Sequence, residues 1–73
     1  MATEGLWEQV KGKWNQVAGQ AQERWGKLTD DEVQQAKGDR QELIGIVQER
    51  YGIAKQEAAD QVDEWANNIK DRL

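Results

Sequence analysis

The apolar positions in the first third of the chain recur at helical spacing. Trp7, Val10, Trp14, Val17, Ala21, Trp25 and Leu28 follow steps of three and four, with polar residues between. Such a stripe lies on one face of an α-helix, and it predicts a first helix over about Glu4–Trp25. Glu4 and Glu8 stand near its positive end, and Arg24 and Lys27 near its negative end, as the helix dipole favours. Gly26 is placed as a left-handed residue that stops the helix, with Leu28 as the apolar contact beyond it. Thr29-Asp30-Asp31-Glu32 has the pattern of a capping box, in which threonine and glutamate each satisfy the other's backbone N–H. It predicts a short second helix to about Lys37, with Val33 and Ala36 inward. Gly38 punctuates, and Asp39 caps a third helix over about Arg40–Tyr51 that turns Leu43, Ile44, Val47 and Tyr51 inward. Gly52 ends it, with Ile53 just beyond. A fourth helix is expected over about Lys55–Arg72, with the stripe Ala58, Val62, Trp65, Ala66 and Ile69. Its acids gather early and Lys70 and Arg72 late, again matching the dipole. No segment alternates as a strand would.

One phrase occurs twice. Val17-Ala18-Gly19-Gln20-Ala21-Gln22-Glu23-Arg24-Trp25-Gly26 returns as Leu43-Ile44-Gly45-Ile46-Val47-Gln48-Glu49-Arg50-Tyr51-Gly52. The repeat predicts two similar units, so the expected fold is all-α: a compact four-helix bundle of two helical hairpins, with the aromatics buried between them. Residues 1–73 make one domain in this reading. Gly12 and Gly19 fall inside the first helix, where glycine costs up to about 1 kcal/mol relative to alanine. Close approach by a neighbouring helix is their expected use.

Composition narrows the chemistry. A chain of 73 residues has room for a single small core, burying only about 60% of the surface of its unfolded form. Four tryptophans and one tyrosine supply burial area that few aliphatics could. Cysteine and histidine are both absent, which removes disulfides, thiolate metal sites and the commonest general base. The net charge is −4 and the pI about 4.7. This acidic balance argues against nucleic acid and against anionic membrane surfaces. No apolar run approaches the roughly 20 residues of a membrane span. Met1–Gly5 lacks the basic stretch and apolar run of a signal peptide, so a cytoplasmic location is expected. The mean hydropathy of −1.02 is that of very hydrophilic, stress-associated disordered chains, and it is the periodicity that argues for a fold.

Few residues remain for a site. Asp30, Asp31 and Glu32 could be read as a hard-cation cluster, but calcium loops space their ligands differently and capping accounts for the whole run. No catalytic, cofactor-binding or metal-ligating residue is assigned, and no enzyme is expected. Leu6 and Trp7, near a chain end prone to fraying, are the candidate contact surface for a protein partner. An alternative rests on the turns. Gly52-Ile53-Ala54-Lys55 resembles the Gly-hydrophobic-Gly turn of helix-hairpin-helix nucleic-acid-binding modules, whose helix N-terminus meets a phosphate. Gly26-Lys27-Leu28-Thr29 is its counterpart in the other half. Gly26, Lys27, Gly52 and Lys55 are the residues this alternative would use. Both turns depart from the pattern, Ala54 standing where the second glycine belongs. On the first helix Lys11, Lys13 and Lys27 are interspersed with Glu4, Glu8 and Glu23, which suits core packing better than a membrane surface.

Trp14, the run Glu23-Arg24-Trp25-Gly26-Lys27-Leu28-Thr29-Asp30-Asp31, Gly38 with Arg40, Leu43, Gln48-Glu49-Arg50-Tyr51-Gly52 and Trp65 together resemble the CsbD-like family. Lys11-Gly12-Lys13 before Trp14 fits as well, and the likeness runs from about Gly5 to Trp65. It implies a small bacterial cytoplasmic protein of the general stress response, of unknown biochemical activity. It also implies a bundle of two helical hairpins similar to sterile-alpha-motif domains. It brings no cofactor and no catalytic residue. The expected role is non-enzymatic, through weak protein contacts or as a hydrophilic protectant, by a monomer or weak homodimer.

Overall fold

Among the described residues the chain forms α1 (Ala2–Gly12), α2 (Trp14–Arg24), α3 (Asp30–Ala36), α4 (Arg40–Tyr51) and α5 (Lys55–Ile69), then a 3₁₀ turn over Lys70–Arg72. The computed structural model describes residues 2–73, with side chains from Gly5 onward. The dipole role expected of Glu4 therefore lies outside the described side chains. The fold is all-helical, as the periodicity requires. In chain order α2 packs on α3, α3 on α4 and α4 on α5, while α1 and α2 both close back onto α5.

Local signals place most boundaries. The capping box forms: Glu32 N–H donates to Thr29 Oγ1 at 3.2 Å, and Thr29 N–H to Glu32 Oε1 at 2.9 Å. Asp39 caps α4 by accepting from Glu42 N–H at 3.0 Å. Gly52 ends α4 in the left-handed region at φ 62°.

Three expectations need correction. The first predicted helix is two helices. Lys13 leaves helical geometry at φ −115°, ψ 25°, although its N–H still reaches Gln9 O at 3.0 Å. The apolar stripe continues unbroken across the bend, and Trp7, Val10, Trp14, Val17 and Ala21 are all buried. On the α1 side of the bend Trp7 seats against Trp65 of α5, and the Val10–Lys11 backbone passes Gly38 in the α3–α4 turn.

Gly26 is not the left-handed stop. Positive φ occurs at Lys37, Gly38 and Gly52 among the described residues. The α2 helix ends one residue earlier, because Trp25 leaves helical geometry (φ −122°, ψ 83°) as its ring turns into the core.

Nor do Gly12 and Gly19 mark a close approach, since a Cβ at either would meet nothing within 4 Å. That approach occurs at Gly38, where a Cβ would lie 2.6 Å from Lys11 Cα.

Trp65 holds the centre of the core. Its ring centroid lies 6.3 Å from that of Trp7, 6.1 Å from Trp14 and 5.5 Å from Trp25. Two outer rings are anchored by their N–H groups, Trp14 Nε1 donating to Val33 O at 2.9 Å and Trp25 Nε1 to Gln61 Oε1 at 3.0 Å. The Trp7 and Trp65 indole nitrogens are buried without an acceptor in the protein. Tyr51 is half-buried at the edge of this cluster.

The glycines of the repeat give a direct check. Gly19 and Gly45 lie inside α2 and α4 with open space where a Cβ would stand. Gly19→Ala and Gly45→Ala should each stabilise the chain by up to about 1 kcal/mol, raising Tm by about 4–8 °C. A thermal melt showing either variant less stable than the parent would contradict this packing.

Candidate functional site

Leu6 and Trp7, the candidate contact surface, lie on consecutive positions of α1. Trp7 is 8% exposed and packs against Trp65; Leu6 is half-buried against the same cluster. The pair therefore offers an edge of the core at the surface rather than a protruding aromatic.

The turn residues are brought together through Tyr51. The Lys27 backbone N–H donates to Tyr51 Oη at 3.1 Å, and Lys27 Nζ lies 5.2 Å from the centroid of the tyrosine ring. The Gly26–Lys27 turn thus abuts the end of α4 just before Gly52. The backbone N–H and the ammonium of Lys27 both face Tyr51, and the N–H is already committed to a hydroxyl. Lys55 is exposed on the first turn of α5, whose cap residue Ala54 has no side chain able to accept a hydrogen bond.

The strongest electrostatic contacts join elements distant in sequence. Arg40 grips Asp63 in a two-pronged pair, Nε to Oδ1 at 2.7 Å and Nη2 to Oδ2 at 2.9 Å, linking α4 to α5. Arg50 donates to Glu32, linking α4 to α3. The Arg40 guanidinium holds the Asp63 carboxyl below the ordinary carboxylate range, outweighing the desolvation that raises it. Glu32 is likewise lowered, first by the Thr29 backbone N–H and then by Arg50. Asp30 and Asp31 stand beside Glu32 in the first turn of α3. Among the described residues no three acids converge as a metal site would require.

These shifts fix a pH dependence. A carboxylate whose folded pKa is depressed adds stability that is complete above its unfolded pKa. That contribution is lost as the pH falls towards the depressed folded value. Stability should therefore hold level from neutral pH to the ordinary carboxylate range and decline below it. The Asp63 side chain is 37% exposed, so solvent screening limits its share to under about 1 kcal/mol. Asp63→Asn should flatten part of the acid limb in melts taken across pH. An unchanged acid limb would remove the pair from this account.

One surface feature went unread in the sequence. Gln41, Glu42, Gly45, Ile46 and Glu49 line a shallow groove of about 290 Å³ along the outward side of α4. Its apolar floor is Ile46, which lies off the inward stripe and stands where the other half of the repeat has Gln20. That mismatch between repeats was the available signal. No described helix is long and apolar enough to cross a membrane.

Comparison with known proteins agrees with the sequence likeness. The CsbD-like family model matches residues 8–60. A UPF0337 protein of Rhodopirellula baltica is 60% identical over 62 residues, covering 85% of this chain and 91% of its own. A UPF0337 protein of Mesorhizobium japonicum is 57% identical over 61 residues, covering 84% and 91%. One of Rhodopseudomonas palustris is 45% identical over 64 residues, covering 88% and 97%. No solved structure matches the chain. With most of its length covered, and with identity far above what the helical pattern alone would impose, this chain belongs to the CsbD-like family.

Proposed function

We propose that this chain is a non-enzymatic stress-response protein of the bacterial cytoplasm. It works as a folded hydrophilic protectant through weak, non-stoichiometric contacts of its charged surface. The stress assignment follows the family likeness. The mode of action rests on one observation: among the described residues every buried side chain of the core is apolar, and no polar or charged residue is buried. The charged third of the composition therefore forms a hydrated shell of both signs around a tryptophan-filled interior. The polar groups that do engage each other cap helices or tie them together, as Thr29, Glu32, Asp39, Arg40 and Asp63 do. That leaves hydration and long-range charge as what most of the surface offers.

The test is a freeze–thaw assay on a labile client enzyme. The folded protein should preserve more client activity than an equal mass of neutral polymer, and rising salt should reduce the advantage by screening surface charge. Protection no better than the polymer's would overturn the reading. So would cellular levels that stay constant between growth and stress.

A further inference from the structure

The half-repeat extends upstream of its conserved phrase. The offset relating Val17 to Leu43 also relates Gly12-Lys13 to Gly38-Asp39, and the first residue of α2, Trp14, to the first residue of α4, Arg40. The two halves treat this junction differently. Before α4 the chain makes a true turn, and Asp39 caps the helix through its carboxylate. Before α2 the same position is Lys13, a residue with no acceptor, and the helix starts without a side-chain cap and without an acid in its first turn. The initial N–H groups of α2 are thus poorly provided for. A straight helix from α1 into α2 would satisfy them from the carbonyls of α1, and the unbroken stripe from Trp7 to Ala21 is already in register for it.

The bent form is held instead by contacts between α1 and the body of the protein. Trp7 is buried against Trp65 of α5, and Val10 is buried in the same core. The Val10–Lys11 backbone lies under Gly38. Lys13 Nζ donates to Leu73 O at 2.7 Å. The first two sets of contacts do not depend on whose α1 provides them. Only the Lys13–Leu73 bond belongs to the bend itself.

We propose that α1 is exchangeable: by straightening at Lys13 into one helix with α2, it passes its Trp7–Val10 face to the core of a second copy, Trp7 meeting that copy's Trp65, giving a reciprocal, two-fold symmetric dimer. Exchange of an identical element reproduces the monomer's own interface, so it is an inexpensive route to dimers. It adds the helical hydrogen bonds missing at the bend and is opposed by the entropy of association, so it is favoured by concentration. The inference stands apart from the protective role, which either form could perform.

Two variants push the equilibrium in opposite directions. Gly12→Ala with Lys13→Ala puts the best helix former at the junction and deletes the Lys13–Leu73 bond. Lys13→Asp loses the same exposed bond but gains the cap found in the other half, which is worth more. All three proteins are unfolded, refolded at millimolar concentration and examined by analytical ultracentrifugation. The double variant should dimerise at least about tenfold more tightly than the wild type, and Lys13→Asp should stay monomeric. In a dimer mixed from isotope-labelled and unlabelled chains, filtered nuclear Overhauser spectra should show Trp7 of one chain against Trp65 of the other. A folded double variant that stays monomeric overturns the proposal, as does a dimer lacking that interchain contact. Should the double variant not fold, the wild type decides: it must show a swapped fraction that Lys13→Asp lacks, and a wholly monomeric wild type overturns the proposal.

Discussion

Trp65→Ala is expected to unfold most of the protein. Its ring sits among those of Trp7, Trp14 and Trp25, with centroids at 6.3, 6.1 and 5.5 Å, and the residue is 4% exposed. Truncating a buried tryptophan to alanine costs about 3–5 kcal/mol, as lost transfer energy plus the cavity left behind. A chain of this length has a total stability of about 4–11 kcal/mol at roughly 0.05–0.15 kcal/mol per residue. The loss is therefore comparable with the lower half of that range. Three neighbouring indoles would lose a shared contact at once, and rigid rings on α1 and α2 relax poorly into such a void.

Far-UV circular dichroism during thermal melting should show Tm lower by at least about 15 °C, or no cooperative transition. Trp65→Phe separates ring from polar group. It keeps most of the aromatic volume and removes a buried N–H that has no acceptor, whose burial is itself unfavourable by about 1–3 kcal/mol. The phenylalanine variant should lose less than about 2 kcal/mol. If Trp65→Ala melted within about 5 °C of the parent, the ring could not be the centre of the core.

The same core shows which features of the fold were legible in the sequence. Where a boundary is set by a local hydrogen bond or a permitted dihedral, the residues announce it. Asp39 and Gly52 bound α4, and Thr29 with Glu32 starts α3. Where tertiary packing sets it, they do not. Trp25-Gly26 and Tyr51-Gly52 are equivalent in the repeat, yet only Gly52 takes the left-handed conformation. The difference lies in the preceding ring. Trp25 is drawn under Trp65 and anchored by Gln61, while Tyr51 stays half-buried with its hydroxyl towards Lys27.

The bend at Lys13 was equally hidden, because the stripe on either side of it keeps one helical phase. What bends the chain is the body that α1 must wrap around. Candidate surfaces divide in the same way. Periodicity placed Trp7 on the inward stripe, but its distance from the chain end suggested exposure, and only the position of α5 resolves the two. The groove on α4 arises from residues outside the inward stripe, where an amphipathic pattern carries no information about what the outer face presents.

Gly38→Ala should be the most damaging glycine-to-alanine change in this chain. Two independent costs meet there. The residue has φ 79°, a conformation that costs an L-residue about 1–2 kcal/mol. Its Cβ would also lie 2.6 Å from Lys11 Cα and 3.2 Å from Val10 O. These are backbone atoms, so no side chain can rotate out of the way; either α1 or the α3–α4 turn must shift. Overpacking of this kind adds about 1–3 kcal/mol, for a total near 3 kcal/mol.

Gly52→Ala isolates the two effects. Gly52 has φ 62° but open space where its Cβ would stand, so it bears only the conformational cost of about 1–2 kcal/mol. Denaturant titrations of both variants should place Gly38→Ala clearly below Gly52→Ala. Amide exchange in the Gly38 variant should accelerate first over Trp7–Gly12, the segment the new methyl group displaces. Equal losses for the two variants, with no selective exchange in α1, would mean that the α3–α4 turn does not press on α1. The contact invoked to explain the bend at Lys13 would then be absent in solution.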